Sequence, residues 1–114
     1  MYKTIFQLDD EDKLINVVNN VNNLLKDMES EKERIQIEIL ANGSGVKAFK
    51  KDNEEDLKAI KDLLAKDVRI ALCSNSLNKF NLYPKDLIDG IIAVKSGVGE
   101  LTRRQNEGWA YIKP

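Results

Sequence analysis

The spacing of hydrophobic residues changes several times along the chain, and this feature constrains the fold most strongly. Five short segments have the length and composition of strands: YKTIFQL (2–8), IQIEIL (35–40), VRIALC (68–73), GIIAV (90–94) and WAYIK (109–113). Between them, apolar residues recur with helical spacing, most clearly over 12–28 and 54–65. The alternation of strands and helices predicts an α/β fold, a three-layer α/β/α sandwich around a mostly parallel sheet.

The composition of each strand predicts its place in the sheet. VRIALC is apolar after Arg69, as expected for a central parallel strand that is buried on both faces. IQIEIL places Gln36 and Glu38 opposite three isoleucines, which predicts a strand at the sheet edge or at an interface between protomers. The last strand is apolar on both faces, so we expect the chain itself or another subunit to cover it.

Composition also narrows the classes of function. The 114 residues, of which 42% are apolar, suit one compact domain over residues 1–114. With 18 basic and 19 acidic residues there is no positive excess, so we expect no nucleic-acid partner. The absence of histidine excludes Ser-His-Asp and Cys-His nucleophile pairs, and one cysteine alone cannot build a zinc site. We therefore expect neither a metal nor a cofactor.

The sequence predicts a cytoplasmic protein that does not interact with membranes. No apolar run reaches the roughly 18 residues that a membrane-spanning helix needs. The N-terminal segment MYKTIFQLDDED lacks the basic and apolar regions of a secretory signal. A single cysteine cannot form an internal disulfide, which agrees with a reducing compartment.

Cys73 has two interpretations. A cysteine that ends an apolar strand is commonly a small buried core residue. However, reactive sites in α/β proteins gather beyond the carboxyl ends of the strands, which is where Cys73 lies. A helix is predicted to begin directly after it, so the free N–H groups of the first turn could stabilise a thiolate. Ser74, Asn75 and Ser76 supply further hydrogen-bonding groups, and we assign the anion-stabilising N–H groups to Ser74 and Asn75.

Two glycine-containing loops follow other strands. The segment from Gly43 to Ala48 matches G-x-G-x-x-[GA], the pattern of a dinucleotide site, although it follows the second predicted strand. The other interpretation is a tight turn that needs glycine. In either case, Asn42, Gly43 and Gly45 should lie at the same sheet end as Cys73. Gly97 also follows a strand and should begin a helix beside Cys73.

The C-terminal helix carries two adjacent arginines. We expect Arg103 and Arg104 to face solvent, because neighbouring charges on a helix usually do.

The chain resembles the DsrE/DsrF-like proteins in segments that span nearly its whole length. These are the run from Val68 to Cys73, SNSL, PKDLIDGIIAV, SGVGEL, Gln105 and EGWAYIKP. The resemblance implies a single domain with a five-stranded sheet whose last strand is antiparallel. It also implies a homo-oligomer, a trimer or a hexamer built from trimers. The chain looks most similar to the small stand-alone branch of the family.

The resemblance also carries a functional implication. Cys73 matches the position of the family's cysteine, and the NGSGV loop matches the segment that lines the family's pocket. For members with this cysteine, the family implies sulfur relay through a persulfide.

Three hypotheses of function are open at this point. The first is a sulfurtransferase-like sulfur carrier that holds sulfane sulfur on Cys73 and exchanges it with donor and acceptor proteins or small persulfides. The second is a module that binds a small anion or nucleotide between Asn42, Gly43, Gly45 and Gly97, with Cys73 as a wall of the pocket. The third is a structural or interaction subunit with an inert, buried thiol.

Overall fold

A computed structural model describes residues 1–114 and contains one five-stranded sheet. The strands are Tyr2–Leu8 (β1), Ile35–Ala41 (β2), Arg69–Cys73 (β3), Ile92–Val94 (β4) and Ala110–Ile112 (β5). The α-helices are Leu14–Ser30 (α1), Glu54–Ala65 (α2), Ser74–Lys79 (α3) and Gly97–Asn106 (α4). Short 3-10 helices cover Glu11–Lys13, Gly43–Phe49 and Pro84–Asp86. The predicted order of strands and helices is therefore confirmed.

The sheet is parallel throughout, with the strand order β4-β3-β2-β1-β5. The prediction that the last strand is antiparallel is therefore wrong. β5 pairs with β1 in the register Thr4↔Ala110, Ile5↔Tyr111 and Phe6↔Ile112. The reason is α4, which carries the chain from β4 at one edge of the sheet back across it to β5 at the other. A helical crossover of this kind returns the next strand in the same direction, whereas a hairpin would reverse it.

The two faces of the sheet are covered unequally. One face packs against α1, α2 and α3 through a cluster of 20 buried hydrophobic residues that includes Phe6, Ile39 and Leu72. The other face packs against α4 alone, through a cluster of Ile5, Leu40, Ala71, Leu101 and Trp109. We call this second side the α4 face. Successive strand residues point to opposite faces, so Cys73 lies on the α4 face with Ala71.

The central strand contains a buried acidic residue. β2 lies in the middle of the sheet, so the prediction of an edge strand is wrong. Glu38 is fully buried on the α4 face, and its Oε1 contacts Nε of Arg69 at 3.1 Å and Nε of Arg104 at 3.0 Å. These guanidinium groups offset the cost of burying the carboxyl group, which explains why a polar residue occupies this position.

The two arginines of α4 differ in their surroundings. Arg103 is largely exposed, as predicted. The same prediction is wrong for Arg104, which is mostly buried between Glu38, Glu100 and Glu107, with its guanidinium over the ring of Trp109. Arg104 thus joins α4 to the central strand.

Candidate functional site

Cys73 lies where β3 ends and α3 begins. Its backbone is extended, and it occupies the position just before the first residue of the helix. Only 5% of the residue is exposed, so the thiol is close to the surface but nearly covered. The carboxyl ends of β2, β3 and β4 meet around it, as expected at one end of a parallel sheet.

Polar groups around Cys73 favour the thiolate. Burial alone would raise the pKa of the thiol, because a buried charge is poorly solvated. The hydroxyl of Ser76 and the backbone N–H groups of Ser76, Gly97 and Asn75 outweigh burial, and the pKa of Cys73 lies below its ordinary value. The thiol itself forms no hydrogen bond that caps the helix. No lysine or arginine is among the leading causes of this shift.

Gly97 brings α4 against the cysteine. A Cβ atom at this position would lie 3.3 Å from Cys73 Cβ, 3.2 Å from Asn42 Cβ and 3.3 Å from Leu40 Cδ1. The absence of a side chain therefore allows the first N–H group of α4 to approach the sulfur. Ser96 caps the same turn by accepting a hydrogen bond from Gly99 N at 3.1 Å.

The loop after β2 forms a second wall of the site. Gly43 has a positive φ of 54°, and its N–H donates to Ser76 Oγ at 2.8 Å. Gly45 donates its N–H to the carbonyl oxygen of Asn42 at 3.0 Å. The loop forms a 3-10 helix over Gly43–Phe49, so its glycines serve a tight turn. Because their N–H groups already have partners, they do not form an open cradle for phosphate.

The structure brings most of the predicted site residues together. Cys73, Asn42 and Gly97 are in mutual proximity, Asn75 acts on the thiol, and Gly43 is linked to it through Ser76. Gly45 is buried in the same loop and lies against the backbone of Leu8. Ser74 begins α3, but its N–H is not among the leading groups that lower the pKa of Cys73, and Ser76 takes that role.

Two nearby polar residues, Gln7 and Tyr111, were not predicted. Gln7 Nε2 donates to Asn42 Oδ1 at 3.1 Å, and the hydroxyl of Tyr111 donates to Gln7 Oε1. Gln7 could have been identified from the sequence, because it is a polar residue near the carboxyl end of a largely apolar strand. Tyr111 gave no such signal, because its pairing with β1 depends on the direction of β5.

Other features of the chain lie apart from this site. An apolar cavity of about 280 Å³ adjoins Leu72, Leu77 and Ile88 on the opposite face of β3, and Cys73 does not line it. No group of three or more histidine, cysteine, aspartate or glutamate side chains is placed to hold a metal ion. None of the helices has the length and apolar content needed to cross a lipid bilayer.

Comparison with known proteins identifies the family. The family described as DsrE/DsrF-like matches residues 11–114. The structure of a protein of unknown function, MTH1491 from Methanobacterium thermoautotrophicum, is 36% identical in sequence, with a TM-score of 0.91 and complete coverage of both chains. The ychN protein from E. coli shares the fold, with a TM-score of 0.80 at 17% identity, again over both whole chains. No curated protein matches. The chain therefore belongs to the DsrE/DsrF-like family.

Proposed function

We propose that this protein is a sulfurtransferase-like sulfur carrier that holds sulfane sulfur as a persulfide on Cys73. The observation that carries this proposal is the thiol itself: a nearly covered cysteine whose pKa is lowered by hydrogen-bond donors at a helix start. A purely structural cysteine needs no such donors, and burial alone would raise its pKa. The family membership supports the same chemistry.

The proposed reaction consists of two displacements at sulfur. Cys73 Sγ⁻ attacks the outer sulfur of a donor persulfide R–S–SH, so that the Cys73 S–S bond forms, the donor S–S bond breaks and R–S⁻ leaves. An acceptor thiolate then attacks the outer sulfur of Cys73–S–SH, and Cys73 leaves again as the thiolate. Sulfane sulfur moves without net oxidation or reduction, and no cofactor takes part.

The site residues have separate roles in this scheme. N–H groups of the first turn of α3 and of Gly97 stabilise the Cys73 thiolate both as nucleophile and as leaving group. Ser76 ties the Gly43 turn to the sulfur by accepting from Gly43 N. The alternative of a phosphate or nucleotide site receives no support from the loop, because Gly43 and Gly45 have used their N–H groups within the protein.

The test of this function is sulfur loading, followed by mass spectrometry after incubation with inorganic polysulfide. We expect the unmodified chain to gain one sulfur atom at Cys73, and Cys73→Ser to gain none. The alkylation rate of the unloaded thiol should show an inflection below about pH 8.5, the ordinary value for cysteine. Labelling only after unfolding would assign Cys73 to the core and overturn the proposal.

Two glycines of α4 offer a matched pair of variants for the same assay. Gly97→Ala places a methyl group within 3.3 Å of three atoms of the site and should push the start of α4 away from the sulfur. We expect loading to slow about tenfold, the value of a hydrogen bond to a charged group. In Gly99→Ala the new methyl group meets only Arg103 and Ser96 side-chain atoms at 3.4 Å, and loading should be unchanged. Equal rates in the two variants would count against a role for Gly97.

The proposal includes assembly into a homotrimer or a hexamer, working in the cytoplasm with thiol-containing donors and acceptors. Support comes from the edges of the sheet, where Ile92 of β4 and Tyr111 and Ile112 of β5 are exposed, as is Val98 of α4. Apolar side chains at unpaired strand edges favour association with another subunit. Sedimentation at micromolar concentration should show a trimer or a larger species, and a monomer would refute this part of the proposal.

A further inference from the structure

A line of three polar side chains crosses the α4 face from the edge strand towards Cys73. The hydroxyl of Tyr111 on β5 donates to Oε1 of Gln7 on β1. Nε2 of Gln7 then donates to Oδ1 of Asn42, directly after β2, at 3.1 Å. These bonds determine how the two amides are oriented. The oxygens of Gln7 and Asn42 each accept a hydrogen bond, so the NH₂ group of each amide points the other way. The line ends on Asn42 Nδ2, which has no acceptor among the side-chain hydrogen bonds of the protein.

Asn42 is placed directly beside the cysteine. The register of β2 and β3 pairs Ala41 with Leu72, so that one residue further on Asn42 lies across from Cys73 on the α4 face. Asn42 Cβ and Cys73 Cβ both lie within 3.3 Å of the position that a Cβ of Gly97 would take. Asn42 is nevertheless not among the leading groups that act on the Cys73 sulfur itself. Asn42 therefore has an N–H group without a protein acceptor on the same face of the sheet as the sulfur.

We propose that Asn42 Nδ2 donates a hydrogen bond to the outer sulfur of the Cys73 persulfide, and that Gln7 and Tyr111 are positioning residues that orient this amide. The inference rests on the proposed function, since it concerns the loaded form of the same cysteine. The outer sulfur of a persulfide anion carries the charge, and an amide N–H donor stabilises it without any covalent change at Asn42. Hydrogen bonds in a chain polarise one another. The hydroxyl of Tyr111, two hydrogen bonds away, therefore strengthens Asn42 Nδ2 as a donor.

The positioning role can be tested on the loaded chain with Tyr111→Phe, which removes one hydroxyl from an exposed edge residue. The persulfide is formed with inorganic polysulfide, and its alkylation by iodoacetamide is followed against pH. We expect the inflection for the persulfide to move to higher pH. Because the acceptor thiolate attacks the protonated form Cys73–S–SH, transfer to a small thiol at neutral pH should become about threefold faster. The inflection for the unloaded thiol should stay in place. Tyr2→Phe is the control, because Tyr2 is also exposed on a strand and its hydroxyl makes no hydrogen bond.

Gln7→Glu gives a second, stronger test. The new carboxylate still accepts from Tyr111 but has no hydrogen to donate to Asn42 Oδ1. Asn42 should then turn its Nδ2 towards the carboxylate and present its oxygen to the sulfur. We expect a larger increase in the rate of persulfide transfer than in Tyr111→Phe, about tenfold.

The possible outcomes separate this inference from the proposed function. If the unmodified chain loads sulfur but both variants titrate and transfer as it does, the positioning role is wrong and the sulfur-carrier function stands. If the inflections for the unloaded thiol and the persulfide move together in Tyr111→Phe, which adds no charge, Tyr111 acts only through general structure, and the inference is also wrong. If the unmodified chain gains no sulfur, both proposals fail.

Discussion

Gly45→Ala should strongly destabilise the folded chain. A Cβ at this position would lie 2.1 Å from the carbonyl oxygen of Leu8 and 2.8 Å from its carbon, which is closer than non-bonded atoms approach. Leu8 cannot yield easily, because it pairs with Ala41 in the sheet and its carbonyl accepts from Asn42 N at 3.0 Å. We expect the free energy of unfolding to fall by about 3 kcal/mol or more, which corresponds to a fall in Tm of more than about 10 °C.

Thermal unfolding followed by circular dichroism measures this effect, with Gly99→Ala as the matched control. Gly99 is also a glycine near the start of a structural element, but a Cβ there would meet flexible side-chain atoms at 3.4 Å. An alanine within a helix is favoured over glycine by up to about 1 kcal/mol, so the control should be as stable as the parent or slightly more so. A Gly45→Ala protein that melts within a few degrees of the parent would show that β1 and the loop can separate at little cost.

This close approach explains why the glycine pattern was ambiguous in the sequence. The spacing Gly43, Gly45 and Ala48 is the same for a phosphate cradle and for a loop pressed against a neighbouring strand. The position of Leu8, brought alongside by pairing of β1 with β2, and the internal partners of the Gly43 and Gly45 N–H groups decide between them. The local pattern predicted where glycine was needed, while the reason for the need came from a contact distant in sequence.

The same distinction applies to the rest of the fold and the site. Strands and helices followed from the period of the apolar residues, and the convergence of Cys73, Asn42 and Gly97 followed from the rule for strand ends. The anion-stabilising N–H groups were assigned one residue too early, because a residue in the capping position of a helix faces the N–H groups of the second and third helical residues. The direction of β5 could not be derived locally, since it depends on the path of α4 across the sheet.

Glu38 shows most clearly that a local sequence pattern cannot predict contacts between residues distant in sequence. Its alternation with isoleucines predicted a strand at the sheet edge or at a protomer interface, but its partner Arg104 is 66 residues away in sequence. Oε1 accepts a hydrogen bond from Nε of Arg104 and forms an ion pair with Nε of Arg69 at 3.1 Å, while Oε2 is buried without a hydrogen-bond partner. Glu100, also buried, lies beside it. A proton on Oε2 would satisfy this oxygen by donating to Glu100, so the two carboxyl groups should share one proton.

The pH dependence of stability should reveal this shared proton. Burial, together with the hydrogen bond to Glu100 and the charge of Glu100, raises the pKa of Glu38 to about 7, against the opposing effect of Arg104 and Arg69. The pKa of Glu100 is lowered: burial would raise it, but the hydrogen bond from Glu38 and the two arginines outweigh burial. Glu38 is therefore the group that keeps the proton close to neutrality, while Glu100 is ionised.

The sign of the effect follows from proton binding in the two states. Between the ordinary pKa of a glutamate, about 4.5, and about 7, the folded chain holds a proton on Glu38 that the unfolded chain has lost. The contribution of Glu38 to the free energy of unfolding is therefore complete below about pH 4.5 and decreases as the pH rises through 7. Glu100 acts in the opposite direction, since its contribution is lost as the pH falls through its lowered pKa.

Glu38→Gln should abolish the loss of stability that Glu38 causes on raising the pH from 5 to 8. The amide of the variant reproduces the protonated carboxyl group: its oxygen accepts from Arg104 and keeps its contact with Arg69, and its nitrogen donates to Glu100. We expect the variant to exceed the parent in free energy of unfolding by about 1–3 kcal/mol at pH 8, with a much smaller difference at pH 5. Urea unfolding across this range measures both differences.

Glu107→Gln is the control, because Glu107 contacts the same Arg104 at 3.0 Å but is more than half exposed. It should keep the parent's slope of the free energy of unfolding against pH. If Glu38→Gln also keeps that slope, Glu38 is ionised throughout, and its unpartnered oxygen is stabilised by another group.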